Sequence, residues 1–235
     1  NMGIVGRVNY DYQSKYLAEV SFRYDGSSKF AKGHRWGFFP SFSAGYDISR
    51  TPYFTKLNLP VSQLKVRVSY GRLGNQNGAG LYDYLGVMTL DPNNVNAWLL
   101  PGTGNKPAKG TISLTPKMIS PYITWEKVDN ANIGLDLMLF DDRLSVTFDA
   151  YQRTTKDMIG PAEAIPAVSG IVPDDRAKIN NATLRNRGWE LSVNWQDKLK
   201  CGFSYGIGFN LFDYKAVVTK YNNPEGIIYN NHTGL

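Results

Sequence analysis

Residues 22–49, FRYDGSSKFAKGHRWGFFPSFSAGYDIS, read as the end of one strand, a polar loop and a returning strand. In the first arm Tyr16, Ala18, Val20, Phe22 and Tyr24 alternate with Leu17, Glu19, Ser21, Arg23 and Asp25. In the second, Phe38, Pro40, Phe42, Ala44, Tyr46 and Ile48 alternate with Phe39, Ser41, Ser43, Gly45 and Asp47. Successive side chains of a strand point to opposite faces, so each arm has one apolar face and one mostly polar face. The polar face carries Glu19, Arg23, Asp25 and Asp47, charges that need water or partners. A sheet of this kind suits the wall of a transmembrane barrel, and it also suits a half-buried soluble sheet.

The same alternation predicts eight strands: Ile4–Tyr12, Tyr16–Asp25, Trp36–Ser49, Leu64–Gly71, one within Tyr122–Phe140, Leu144–Arg153, Trp189–Trp195 and Phe203–Asp213. The segment 50–63 holds Pro52 and Pro60 and suits neither helix nor central strand. Residues 72–121 are rich in Gly, Asn and Pro, with a possible short strand at Tyr82–Leu90; a second long loop spans 157–186. Loops of such length are functional or disordered. With strands running up and down, the loops at 26–35, 72–121 and 157–186 fall at one end. The turns at 13–15, 141–143 and 196–200 fall at the other, with the 50–63 connection. Outer-membrane barrels sort their connections in this way, and a β-sandwich has no reason to.

Composition narrows the function. The chain has 235 residues, 42% of them hydrophobic, and 15 Tyr, 11 Phe and 5 Trp cluster in the alternating segments, as interface girdles would require. No apolar run is long enough for a transmembrane helix. The net charge of +6 comes from Lys and Arg spread through strands and loops rather than along a basic stripe, which sets nucleic-acid binding aside. Cys201 alone builds no disulfide framework, and His34 and His232 are too few for a zinc site. No cofactor is expected. No nucleophile elbow, phosphate loop or zinc-protease motif is present, and Asp141-Asp142 suits a turn better than a catalytic carboxylate pair. Arg23, Asp25, Arg35 and Asp47 are expected to form an ion-pair network in the wall near the outer rim, in preference to a polar ligand site. Glu126 and Asp136 are expected to face the lumen or rim. Tyr82, Tyr84 and Trp98 in the long loop either stack on a sugar ring or peptide, or form that loop's own packing core. The opening residues are already strand-like rather than a signal peptide, and 221–235 is loop-like, so the chain is expected to be a piece of a longer protein if it is not cytosolic.

Several blocks occur in one order: YDGSSKFAKGHRWGFFPSFSAGYDIS, LKVRVSYGRLGNQ, ITWEKVDNANIGLD, LSVTFDAYQRTTKDMI and LRNRGWELSVNW. Together they resemble the barrel of the SusC/RagA family of TonB-linked outer-membrane proteins. The match covers nearly the whole chain and is weakest at 77–120 and 158–178. Tyr46 stands where the family often has Trp. The resemblance implies an all-β, antiparallel transmembrane β-barrel segment: about eight strands of a 22-stranded barrel, with long extracellular loops and short periplasmic turns. Residues 1–235 would then be part of the barrel domain, without the plug, the N-terminal extension or the closing strands. An open sheet of this size would have two unpaired edges in lipid, which again implies a fragment. The resemblance further implies a non-enzymatic importer of glycans or peptides in the bacterial outer membrane. Its partners would be a SusD-like lipoprotein as lid and the TonB–ExbB–ExbD complex, acting through the plug. The alternatives are a passive porin and a soluble carbohydrate-binding module. The signature positions Arg23, Tyr24, Asp25, Gly26, Ser27, Ser28, Arg35, Trp36, Gly37, Trp125, Glu126, Gly134, Asp136, Asn186, Gly188 and Glu190 are expected to be structural.

Overall fold

A computed structural model describes residues 1–56, 60–81, 83–86, 90–91, 99–100, 108–109, 112–113, 118–161, 168 and 177–221. Its strands, in chain order, begin with β1 (Met2–Tyr12), β2 (Tyr16–Gly26), β3 (Trp36–Asp47) and β4 (Val61–Asn75). Four two-residue strands follow: β5 (Leu90–Asp91), β6 (Leu99–Leu100), β7 (Ala108–Lys109) and β8 (Ile112–Ser113). Then come β9 (Glu126–Leu139), β10 (Leu144–Pro161), β11 (Lys178–Lys198) and β12 (Ser204–Lys220). The eight long strands form one sheet in the order β1-β2-β3-β4-β9-β10-β11-β12, each antiparallel to the next. This meander bears out the expected all-β barrel wall, with short connections at one end and long loops at the other.

Several boundaries differ from the sequence-based expectation. β4 has 15 residues and β11 has 21, where short strands were expected at 64–71 and 189–195. Residues 178–186 lie in β11, paired with β10, rather than in a loop. The reason is that a ladder needs backbone hydrogen bonds, whereas the alternation signal needs one apolar face. Where both faces turn polar, the strand continues and the signal stops. The 50–63 connection does hold helix, contrary to expectation: a 3-10 turn at Ile48–Arg50 and one α turn at Pro52–Thr55. Pro52 sits at the start of the turn, where its missing N–H costs nothing, and Thr51 Oγ1 accepts the Phe54 amide at 3.3 Å. Of the short strand expected at Tyr82–Leu90, residues 83–86 are not strand and only Leu90, in β5, is. Leu81, Asp83 and Tyr84 lie in turns, and Gly80 N donates to Asp83 Oδ2 at 2.7 Å. The long loop instead carries a small nested ladder, β5 with β8 and β6 with β7.

Register sorts the side chains. Val8, Val20, Phe42 and Tyr70 are successive partners across β1 to β4, and all lie on one face. On this face Val8 is 72% exposed, Val20 59%, Phe42 53% and Ile207 69%. No second sheet covers it among the described residues. Such an exposed apolar face is what the lipid-facing side of a barrel wall presents. Aromatic rings border the band. At the long-loop end Tyr24 stacks on Trp36 at 4.9 Å; at the short-turn end Tyr16 stacks on Tyr46 at 5.0 Å. Tyr16 to Tyr24 spans about 26 Å along the strand at ~3.3 Å per residue. That suits a band of about 25 Å crossed at a tilt.

Candidate functional site: a hub at the base of the long loops

The β3–β4 ladder stops at Ser41↔Gly71, although β3 continues to Trp36 and β4 to Asn75. The buried core of the molecule, Phe30, Phe39, Ala79, Ile123 and Trp125, with Ile159 against it, lies at this splay. Phe30 is fully buried, and its ring lies 5.2 Å from that of Trp125; Phe39 meets Trp125 at 5.4 Å. Two glycines make room for Phe39. A Cβ at Gly37 would fall 2.3 Å from its ring and one at Gly74 2.1 Å. Gly26 likewise admits Trp36, whose ring a Cβ would meet at 2.9 Å.

Polar contacts lock the same place. The Ser27 amide donates to the Arg35 carbonyl at 3.0 Å and closes the 26–35 loop. Trp125 Nε1 donates to that same carbonyl at 3.0 Å, and Arg35 Nε donates to the Phe30 carbonyl at 3.1 Å. Lys29 Nζ reaches across to the carbonyls of Gln76 at 3.4 Å and Ala79 at 3.0 Å. Glu126, 7% exposed, accepts from Asn75 Nδ2 at 2.6 Å and from the Ile159 amide at 2.9 Å. Asn180 Nδ2 donates to the carbonyls of Thr124 and Asp157. Four chain segments are therefore tied at one point: 26–35, 75–80, 123–126 and 157–160, the last joined on to 180. Among its described residues, the hub pairs no nucleophile with a base. It fixes the feet of the long loops to the wall.

The other expected residues fall elsewhere. Arg23 pairs with Asp25 at 3.1 Å, but the four-charge network with Arg35 and Asp47 does not form. Asp47 lies at the far end of β3, pairs with Arg50 at 3.2 Å and caps the 3-10 turn, while Arg35 serves the Phe30 carbonyl. Trp36 and Asp47 bound a 12-residue strand, so those charges stand too far apart. Tyr24 lies in the aromatic border and Ser28 is exposed on the loop. Tyr84 sits half-buried in the 83–84 turn and is not among the hub's core residues; Tyr82 and Trp98 lie outside the described residues. Asp136 joins a second cluster on the polar face, where Arg67 Nε meets it at 2.7 Å and Arg67 Nη2 meets Asp149 at 3.2 Å, bridging β4, β9 and β10. Gly134 leaves the space, since a Cβ there would lie 2.8 Å from Arg67 Nη2. Gly188 similarly admits the Tyr151 hydroxyl, at 2.7 Å from its would-be Cβ. Glu190 is exposed opposite Asp149, and Asn186 Oδ1 is buried without a hydrogen-bond partner. Sequence reading missed Lys29, Phe30, Phe39, Gly74 and Ile159 as hub members. The glycines at 37 and 74 inside strands were the available signal for a bulky close neighbour.

Residues 1–233 match the model of the family described as TonB dependent receptor-like, beta-barrel. The TonB-dependent receptor SusC of Bacteroides thetaiotaomicron is 30% identical over 226 residues, 95% of this chain and 21% of that protein. The TonB-dependent receptor P39 of Formosa agariphila is 32% identical over 90% of this chain and 18% of its own length. Among solved structures, the RagAB peptide importer in its open-open state matches 99% of this chain and 23% of its own, with a TM-score of 0.78 and 25% identity. The chain belongs to the TonB-dependent receptor β-barrel family, whose members are outer-membrane proteins, and its SusC/RagA resemblance is borne out. It spans about a fifth of the length of these relatives.

Proposed function

We propose that this segment is part of the wall of an active outer-membrane importer. The importer takes up oligosaccharides or oligopeptides, pairs with a SusD-like surface lipoprotein and is energised by TonB–ExbB–ExbD through a plug. The observation that carries this reading is the hub at the long-loop end of a wall whose other face is apolar. Loops that grip a ligand or a lid must be held at their feet while their tips adapt, and recognition sits on such loops above a rigid scaffold. Tyr82, Tyr84 and Trp98 are the candidates for ligand contact, since aromatic faces stack on sugar rings and on apolar peptide side chains. No bond is made or broken. Transport is a change of conformation driven from outside the segment, and residues 1–235 contribute structure and loop attachment.

The test uses the full-length receptor in its own outer membrane. Uptake of labelled oligosaccharide and oligopeptide pools is compared in wild type, receptor-deleted and TonB-deleted cells, with affinity purification of the receptor. Uptake lost in both deletions, together with a co-purifying surface lipoprotein, is expected. Uptake that persists without TonB would replace the importer by a passive pore.

A further inference from the structure

The strands β10, β11 and β12 keep one register through their upper halves. Phe148 lies opposite Leu191 and then Leu211; Ala150 opposite Trp189 and then Asp213; Gln152 opposite Arg187 and then Lys215; Thr154 opposite Arg185 and then Val217. Arg185, Arg187 and Lys215 therefore share the face of Trp189, Leu191 and Leu211, one or two steps beyond the end of the apolar band. Arg187 Nε donates to Gln152 Oε1 at 2.6 Å, which holds the guanidinium on that face.

Among the described residues, the charges there are unbalanced. Arg187 and Lys215 are direct cross-strand partners, and like charges so placed destabilise a sheet. Several cations toward the same end of the wall are matched: Arg72 and Lys156 by Asp129, Lys127 by Asp157. None of Arg185, Arg187 and Lys215 has a carboxylate within ion-pair distance among the described residues. Asp213 is the nearest in register, opposite Trp189, and leaves three cations against one anion.

We infer that Arg185, Arg187 and Lys215 bind the anionic phosphate headgroup of an outer-leaflet lipid whose acyl chains lie on Trp189 and Leu211. The forked Arg donors match phosphate oxygens, and Lys adds a point charge. Trp189 ends the apolar band, at the depth where interface aromatics and headgroups meet. This inference rests on the membrane placement proposed above.

The experiment purifies the full-length receptor from outer membranes in mild detergent. Native mass spectrometry counts retained anionic lipids, and the delipidated receptor is titrated with phosphatidylglycerol, phosphatidylcholine and inorganic phosphate. Wild type is expected to prefer phosphatidylglycerol, with affinity falling about fivefold for each cation removed along Lys215→Ala, Arg187→Ala and Arg185→Ala. Lys215→Glu, at an exposed site, tests the same point if the triple variant does not insert, and is expected to lose at least about fivefold. Lys200→Ala, at the opposite end, is expected to bind as wild type does. Equal retention in an inserted Lys215→Glu variant would overturn the inference, as would a counter-carboxylate supplied by the strand flanking β12 in the whole receptor. Inorganic phosphate binding as tightly as lipid would overturn it too. A wild-type receptor absent from the outer membrane would instead sink the membrane reading, a result separable from an inserted receptor that binds no lipid.

Discussion

The Trp125 indole N–H is bonded to the Arg35 carbonyl at 3.0 Å, joining two residues 90 positions apart. The same oxygen also accepts the Ser27 amide, so one backbone carbonyl holds both the 26–35 loop and the entry to β9. Trp125→Phe keeps the ring contacts and removes the donor, with an expected loss of about 1 kcal/mol. Trp125→Ala also leaves a hole between Phe30 and Phe39 and is expected to cost ~3–5 kcal/mol. Denaturant unfolding of the purified receptor measures both. Trypsin cleavage after Lys29 and Lys32 should accelerate in the alanine variant, because the loop loses its floor. Cleavage at the wild-type rate in that variant would show that the loop is held by something other than the hub.

Gly74 and Phe39 are coupled by shape. An alanine at 74 places its Cβ 2.1 Å from the Phe39 ring, and the ring is boxed in by Trp125. Gly74→Ala alone is expected to destabilise by about 1–3 kcal/mol, as overpacking does. Phe39→Leu alone leaves space. In the double variant each change relieves the other, so its loss should be smaller than the sum of the two. Simple additivity would mean that the two residues do not touch.

How far the sequence disclosed this architecture depends on which physical signal each part carries. β2 and β3 were legible because Tyr16–Tyr24 and Phe38–Tyr46 put apolar side chains on every second position, all on one face of the sheet. Lys178–Asn186 was not, because Asn180, Asn181, Arg185 and Asn186 interrupt the apolar alternation while the backbone ladder with β10 continues. The expectation that Arg23, Asp25, Arg35 and Asp47 would neutralise one another failed because residues at opposite ends of one strand cannot meet. The hub is a tertiary object. Phe30 comes from one loop, Ala79 and Ile123 from the two ends of another, and no local period marks them. The two strand glycines beneath Phe39 were its only local trace.

Arg67 is the sole cation facing both Asp136 and Asp149 in the central cluster, among the described residues. Arg67→Met is expected to cost more than Asp149→Asn, because the first leaves two carboxylates on neighbouring strands without their partner. A double-variant cycle between the two should return a coupling of about 1 kcal/mol, within the usual span for residues in one network. Unfolding of the receptor in detergent at low salt checks it. A coupling of zero would reduce the cluster to solvated charges.

Leu191 and Ser192 are adjacent in β11 and face opposite ways, since Leu191 opposes Phe148 and Leu211 while Ser192 opposes Thr147 and Asn210. The membrane reading turns this parity into a contrast between neighbours. An arginine on the lipid face near mid-depth costs about 2–4 kcal/mol, whereas one on the lumenal face meets water and polar groups. Leu191→Arg should therefore lower the yield of inserted receptor and its unfolding midpoint, with Ser192→Arg close to wild type. A soluble sheet with its apolar face packed on another domain would also reject Leu191→Arg. It would do so irrespective of depth along the strand. In a membrane the penalty fades toward the interface, so Val217→Arg, beyond Trp189 on the same face of the sheet, should cost at most about 1 kcal/mol. Equal penalties at 191 and 217 would point to burial against protein; a steep decline between them is expected from a lipid-facing wall.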